Sequence, residues 1–385
     1  MGAYRPPTAN RADSVAIDMN QIALHWPTAR TTDRADTGLP ASSRLAGLDI
    51  TRALALVGMF MVHFGPEDGA GIMGRVYALP HGRASILFAL VAGVGMAQLS
   101  AAPERRFDAR LRLFWFAILL LPLGLALQNL DHPVAVILQH YAVFFVLGLC
   151  VLDVPRPWLL RLAVAMTLAG PILYLAGRMT LPDVLDRNSV SISDVPWTIL
   201  TGLLITGPYP LLTWSAPILW GLWIGRCDLR ARHVQNWLVI SGVLAALAAT
   251  ATSEVLVAIF GAPASSEDWR NILVTVAHSQ MPLWIVSSVG SGTAVLGMAL
   301  VMGTAWERPL RPLIALGQLS LSIYVAHLVA IHFAREMLVS DRVDQASAVV
   351  IVFSVCSCLF AFAWRAHLRR GPVELLTHLP LASRS

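Results

Sequence analysis

The sequence has no lysine and few charged residues of any kind. Charged side chains occupy 13% of the 385 positions, and all 28 basic residues are arginine. A soluble domain carries about a quarter of its residues as charged ones to keep its surface in water. The chain therefore lacks the polar surface of a soluble protein. Its 56% hydrophobic content and mean hydropathy of +0.64 are instead typical of a membrane protein.

The sequence also lacks the motifs of several common sites. It has no HExxH, no phosphate-binding loop and no GxSxG serine elbow, and its four cysteines lack the spacing of a zinc site. We therefore predict no metal. The formal charge of +5 does not indicate nucleic-acid binding, because the arginines stand at the ends of apolar runs, as in membrane proteins.

Ten apolar runs approach the length that a membrane-spanning helix needs, about 20 residues for ~30 Å of hydrocarbon. They cover residues 46–65, 84–101, 111–129, 133–152, 157–177, 209–226, 236–259, 283–303, 312–334 and 346–366. The fold class predicted is all-α, a polytopic membrane helix bundle of about ten transmembrane helices. The apolar stretch 197–207 is short and ends at Pro208, so we predict a re-entrant or interfacial segment there.

The arginines alternate between the two sides of this arrangement. Those predicted to be cytoplasmic stand before the first span or near the end of every second span, and they are Arg44, Arg105, Arg106, Arg110, Arg156, Arg226, Arg230, Arg232, Arg308, Arg311, Arg365, Arg369 and Arg370. The positive-inside rule then predicts that both termini are cytoplasmic. The absence of lysine indicates a GC-rich genome, and we expect a bacterial cytoplasmic membrane.

Three segments follow from this interpretation. Residues 1–43 are polar, and we predict a disordered cytoplasmic segment without a signal-peptide core. Residues 44–376 are predicted to form the transmembrane domain, and residues 377–385 a cytoplasmic tail.

The first span carries three ionisable residues, Asp49, Arg52 and His63. Arg52 and His63 stand eleven positions apart, which places them on one helical face, separated by roughly 16 Å along the axis. Asp49 lies on the same face and is predicted to pair with Arg52. Two interpretations stay open. Either Arg52 snorkels to the headgroups and His63 lies in the interface, or a cation site and a histidine base form two ends of one site.

Further polar residues lie in or beside other spans, where ionisable groups are costly and often functional. They are Gln139 and His140 in the fourth span, His327 in the ninth, His81 and Arg83 before the second, and His278 and Ser279 before the eighth. In the predicted topology His63, His81, His278 and His327 all lie toward the outer side. A lone membrane histidine is usually a packed residue, but four at one level favour a site.

Several stretches resemble known membrane acyltransferases. Arg52, ten intervening residues and His63 match the R-X10-H pattern of the acyltransferase-3 family, and LGQLSLSIYVAHL (316–328) is similar to its late helix. Other strings resemble DUF418 (YeiB-like) proteins and bacterial homologues of heparan-α-glucosaminide N-acetyltransferase. These are GLDITRALALVGMFMVHFGP (47–66), HGRASILFALVAGVGMAQL (81–99), ILQHYAVFFVLGL (137–149), HSQMPLWIVSSVGS (278–291) and RGPVELL (370–376). The resemblance extends over most of residues 44–376.

The resemblance implies a transmembrane acyltransferase that uses cytoplasmic acyl-CoA, commonly acetyl-CoA, as co-substrate. The acceptor would be an extracytoplasmic glycan or glycolipid. Arg52 would hold the CoA or thioester, with Asp49, Gln139 and His140 on the donor side. His63 would act catalytically, with His81 and His327 as further candidates, and Arg83, His278 and Ser279 would contact the acceptor. In the heparan-type proteins an asparagine commonly stands at the position of His63, so His63 and His81 remain alternatives for the main base.

Two other functions fit the same residues. The polar track across the bundle would also suit a transporter or exporter of a small metabolite. The chain could instead be a structural partner of an envelope complex. Membrane lipids are expected partners in every case, nucleic acid is not, and a homo-oligomer stays open.

Overall fold

The computed structural model describes residues 1–2, 44–66, 71–102, 106–181, 188–368 and 370–377. The described residues from Arg44 to Thr377 belong to one compact unit. Nearly all of the predicted N-terminal segment 1–43, and the tail beyond Thr377, thus lie outside the described residues. The described part contains helices and short connections and no strand, which confirms the all-α fold class.

The first seven helices lie between residues 44 and 201 of the described chain. They are α1 (Ala46–Phe64), α2 (Gly71–Ala78), α3 (Arg83–Leu99), α4 (Arg106–Gln128), α5 (Leu138–Val151), α6 (Arg156–Thr180) and α7 (Pro196–Thr201). A π-helical turn, Gly202–Thr206, continues α7. The predicted re-entrant or interfacial stretch 197–207 therefore forms a short helix with a π-helical end, which is too short to cross a bilayer.

Seven further helices lie in the remaining described residues. They are α8 (Leu211–Ile224), α9 (Arg232–Phe260), α10 (Pro282–Ala305), α11 (Arg311–Gln318), α12 (Ser320–Leu338), α13 (Val343–His367) and α14 (Pro372–Leu376). A 3₁₀ turn, Trp269–Leu273, lies between α9 and α10. The predicted ninth span, 312–334, is two helices, because the chain leaves helical geometry at Leu319.

Eight apolar helical stretches of the described chain are long enough to cross a membrane, so the molecule has the helices of a multi-pass membrane protein. Two of the ten predicted spans, 133–152 and 209–226, contain only the 14-residue helices α5 and α8. At 1.5 Å per residue, 14 residues reach about 21 Å, less than the ~30 Å hydrocarbon core. Eight of the ten predicted spans therefore overlap a helical stretch that is long enough to cross the membrane, and these two do not.

Close helix packing depends on small residues, as is usual in membrane bundles. A Cβ on Gly242 of α9 would lie 2.5 Å from the main-chain nitrogen of Ala294 in α10, and a Cβ on Gly93 of α3 would lie 3.0 Å from Gly221 in α8. Helices α1, α3, α8 and α10 form the buried centre, whereas most of α9 and α13 is exposed on the outside of the bundle. The ionisable residues of α1 consequently lie at the centre of the protein.

Candidate functional site

A cavity of about 530 Å³ lies at the N-terminal end of α1. Five arginines from four parts of the chain line it: Arg44, Arg52, Arg112, Arg365 and Arg370. The acidic residue in its described lining is Glu374. Guanidinium groups bind carboxylates and phosphates through paired N–H donors, so the chemistry of this wall suits a phosphorylated ligand.

Asp49 holds two of these arginines in place. Its carboxylate is fully buried and accepts hydrogen bonds from Arg44 (Nε–Oδ2 2.6 Å, Nη2–Oδ1 2.9 Å) and from Arg52 (Nη1–Oδ1 2.7 Å). Gln318 donates a further bond from Nε2 to Oδ2, 3.3 Å. The predicted Asp49–Arg52 pair is thus confirmed. Asp49 is not in the cavity wall, so it orients the arginines rather than facing a ligand.

The approach of α11 to α1 depends on one glycine. A Cβ on Gly317 would overlap the main-chain oxygen of Asp49. Because a backbone atom cannot move aside as a side chain can, only glycine allows Gln318, the next residue, to reach the Asp49 carboxylate at this distance. The Gly-Gln pair of the string 316–328 therefore has a packing role beside the arginines.

The rest of the described cavity lining is rich in apolar and aromatic residues. It includes Phe88, Met96, Phe116, Tyr141 and Tyr324. This lining therefore offers guanidinium groups to the anionic end of a ligand and apolar and aromatic side chains to an uncharged arm.

The C-terminal segment closes one side of the cavity. Glu374 accepts hydrogen bonds from the main-chain nitrogens of Leu321 (2.9 Å) and Ser322 (3.0 Å), and also from the Ser322 hydroxyl. Its carboxylate thus caps the N-terminal end of α12, where the free N–H groups and the helix dipole favour an anion. The Trp364 indole donates to the main-chain oxygen of Arg370 at 2.7 Å. These bonds position the string 370–376, which includes Arg370 of the cavity.

Two histidines from distant parts of the chain meet near the other end of α1. His63 Nδ1 lies 3.1 Å from His327 Nε2, and the two rings are nearly parallel, with centroids 5.3 Å apart. His327 is fully buried, and its Nδ1 has no hydrogen-bond partner among the described residues. If that Nδ1 carries the proton, Nε2 accepts from His63 Nδ1–H, which leaves His63 Nε2 with its lone pair.

Further histidines surround this pair. His81, His132 and His278 all lie close enough to His63 to interact with it electrostatically. His81 Nδ1 donates to the main-chain oxygen of Tyr77 at 2.7 Å, and its Nε2 is buried without a partner among the described residues. His132 Nε2 donates to a main-chain oxygen, and burial lowers the pKa of His132. His81, His278 and His327 thus all lie near His63 in the described structure.

The segment that carries His278 has an unusual backbone. His278 (φ +56°) and Gln280 (φ +62°) occupy the left-handed region, which costs energy for residues other than glycine. The buried Gln280 side chain fixes this conformation, since it accepts from the Thr213 hydroxyl at 2.8 Å and donates to the Pro208 oxygen at 3.1 Å. The result is that the His278 ring lies 6.1 Å from that of Trp284, centroid to centroid.

Ser279 faces a different space from the histidines. It lines a second cavity of about 660 Å³, formed by the connections that flank α6 and α9, with Arg178 and Asn188 among the other lining residues. Hydrogen bonds from Arg270 hold the pKa of Asp268, in the same connection, well below its usual range. The neighbouring residues therefore differ in their contacts: His278 lies beside Trp284, and Ser279 lines the second cavity.

Other residues predicted for the site lie apart from the cavity of five arginines. Gln139 is fully buried and donates to the Val190 oxygen at 3.3 Å, and His140 packs on Tyr209, with ring centroids 5.4 Å apart. Neither lines the arginine cavity. Arg83 points toward α10 and lies 3.5 Å from the Ser287 hydroxyl. Gln139 and His140 thus contact the connections that hold Val190 and Tyr209, and Arg83 contacts α10.

Sequence reasoning missed most of the cavity. Arg365 and Arg370 serve in the sequence only as orientation signals, and Arg112, Tyr141, Tyr324 and Glu374 carry no assignment. The available signal was the predicted cytoplasmic position that Arg365 and Arg370 share with Arg44. That shared position does not show which helices are neighbours, so it could not identify a shared cavity.

Comparison with known proteins matches one part of the chain. Residues 223–381 match the model of a family described as "Protein of unknown function (DUF418)". The predicted likeness to DUF418 proteins is thereby confirmed for this part, which includes His278, His327 and the segment 370–376. No curated protein matches the chain.

Proposed function

We propose that the protein is a membrane acyltransferase. It takes an acyl group, acetyl in the simplest case, from cytoplasmic acyl-CoA and transfers it to a hydroxyl or amine of an extracytoplasmic glycan or glycolipid. The resemblance of the R-X10-H string of α1 to acyltransferases supports this function, and the cavity and histidine pair at the two ends of that helix agree with it.

The arginine cavity is the observation that carries the proposal. CoA has a pyrophosphate and a 3′-phosphate at one end and an uncharged pantetheine arm that ends in the thioester. The guanidinium groups of the cavity match the phosphates, and the apolar wall with Tyr141 and Tyr324 matches the arm. The cavity thus offers positive charge for the phosphates of CoA and apolar contacts for its uncharged arm.

The histidine pair would supply the base for the reaction. His63 Nε2 takes the proton of the acceptor hydroxyl or amine as its oxygen or nitrogen attacks the thioester carbonyl. The tetrahedral intermediate then breaks its C–S bond, and the CoA thiolate leaves and takes the proton from the His63 imidazolium. His327, hydrogen-bonded to His63 Nδ1, orients the ring. The products are the acylated acceptor and free CoA, and no other reactant is needed.

The proposal includes an orientation in the membrane. The chain crosses a bacterial cytoplasmic membrane ten times with both termini inside, so that the arginine cavity opens to cytoplasmic acyl-CoA. Single cysteines placed in a variant without native cysteines test this orientation. Positions 262–275 should react with an impermeant maleimide in intact cells, and positions 228–234 should react only after lysis. Labelling of 228–234 in intact cells would contradict it.

Binding and cleavage of acetyl-CoA test the function itself. The purified protein in lipid nanodiscs should bind acetyl-CoA and CoA, as measured by calorimetry. It should also release CoA thiol when an envelope glycan extract is added. A transporter would bind its substrate without releasing thiol. Failure of the wild-type protein to bind either nucleotide would refute the proposed function.

A further inference from the structure

Tyr141 has a buried hydroxyl that the fold does not use. The residue is 3% exposed, and its hydroxyl has no hydrogen-bond partner among the described residues. Its ring packs against Phe88, Phe144 and Phe145, with centroids 5.5 to 6.0 Å apart. A phenylalanine would make the same ring contacts without a buried polar atom, so packing alone does not account for a tyrosine here.

The neighbouring tyrosines differ from Tyr141 in this respect. The hydroxyl of Tyr324 accepts from the main-chain nitrogen of Ile137 at 3.3 Å, and the hydroxyl of Tyr209 donates to the main-chain oxygen of Ala135 at 3.2 Å. Both therefore have a structural use in the connection between α4 and α5. The hydroxyl of Tyr141 is the one of these three that lacks such a bond.

The position of Tyr141 connects the two halves of the candidate site. It lines the arginine cavity and lies close enough to Arg52 and Tyr324 to interact with both electrostatically. Tyr324 also lines the cavity, and its ring contacts His327 with centroids 4.9 Å apart. His327 in turn contacts His63. A ligand arm that extends from the arginines toward the histidines would pass Tyr141 and Tyr324.

We propose that Tyr141 is a catalytic residue whose hydroxyl donates a hydrogen bond to the carbonyl oxygen of the bound acyl thioester. The inference rests on the proposed acyltransferase function. As the acceptor attacks, that oxygen becomes the oxyanion of the tetrahedral intermediate, and the bond from Tyr141 strengthens as its charge develops. The hydroxyl keeps its proton throughout, so the transfer from acceptor to His63 and on to the CoA thiolate is unchanged.

Infrared spectroscopy tests the hydrogen bond without knowledge of the acceptor. Acetyl-CoA labelled with ¹³C at the carbonyl is bound to the protein in nanodiscs, and the isotope-edited difference spectrum isolates the thioester carbonyl stretch. A donated hydrogen bond lowers this frequency relative to an apolar environment. We expect the lowered frequency in the wild type and in Tyr174→Phe, a variant of another fully buried tyrosine that is not in the cavity wall. In Tyr141→Phe the frequency should rise.

Binding measurements give a second, independent result. S-ethyl-CoA, a thioether, has the same phosphates and arm but no carbonyl. Loss of one neutral hydrogen bond should weaken acetyl-CoA binding to Tyr141→Phe by roughly two- to tenfold, with S-ethyl-CoA binding unchanged. Thermal unfolding in nanodiscs checks that the variant is folded. We expect it to fold, because phenylalanine retains the ring contacts of Tyr141.

The outcomes separate this inference from the proposed function. An unchanged carbonyl frequency and an unchanged preference for acetyl-CoA in Tyr141→Phe would overturn the role of Tyr141 and leave the acyltransferase function in place. If Tyr141→Phe binds acetyl-CoA and S-ethyl-CoA more weakly by the same factor, Tyr141 contributes only to the shape of the cavity, and the inference is also overturned. If the wild type binds neither ligand, the proposed function fails, and the role of Tyr141 fails with it.

Discussion

Arg52 is expected to contribute directly to the affinity for CoA, and replacing it by alanine tests the donor site. Its side chain is 25% exposed and lines the cavity, while Nη1 is held by Asp49 at 2.7 Å. The remaining N–H groups of the guanidinium are available to a phosphate or thioester oxygen. A hydrogen bond to a charged group contributes about 1.5–3 kcal/mol, so Arg52→Ala should weaken CoA binding by about 10- to 150-fold.

The same substitution should leave the protein folded. Removing one partner of a buried ion pair costs ~3–5 kcal/mol when the other charge is left alone. Asp49 is not left alone, since Arg44 keeps two bonds to it and Gln318 keeps a third. We therefore expect a smaller loss of unfolding free energy than that range. Thermal unfolding in nanodiscs measures this loss in parallel with the binding experiment.

Two further variants make the result specific. Arg52→Lys keeps the charge but loses the forked geometry, so it should restore only part of the affinity. Arg335→Ala removes an exposed arginine from the far end of α12, outside the cavity, and should bind CoA as the wild type does. Calorimetry with CoA measures all three. An unchanged affinity in a folded Arg52→Ala protein would refute the donor role.

Three other substitutions probe the histidines and the helix packing. His63→Ala should lower thiol release by about 10²–10⁴-fold, the usual contribution of a general base, with CoA binding retained. His81→Ala should lower it less, and the reverse order would make His81 the base. Gly317→Ala should lower the melting temperature, because its methyl group would overlap a main-chain oxygen, and overpacking typically costs 1–3 kcal/mol. Gly292→Ala, where the new methyl meets only side-chain and main-chain atoms at 3.5 Å or more, is the matched control; equal melting temperatures would contradict the packing argument.

Part of the candidate site could be predicted because it lies on a single helix. The spacing of Asp49, Arg52 and His63 in α1 determines their common face, and the ion pair between the first two follows from a three-residue separation. The assignments of Gln139 and His140 to the donor side had no such support. Both belong to a short buried helix whose side chains pack on neighbouring segments, and a sequence pattern does not show which neighbour each side chain meets.

The sequence by itself determined the membrane class and the approximate positions of the long apolar helices. Both follow from local properties, because a bilayer requires long apolar runs and because helical hydrogen bonds form between residues four apart. Only the tertiary structure decided that His63 meets His327 across 264 positions and that arginines from α1, α4 and α13 share one cavity. The physical reason is that such contacts depend on how helices pack, and packing is decided by close approaches such as Gly317 against Asp49 rather than by the polarity of each helix alone.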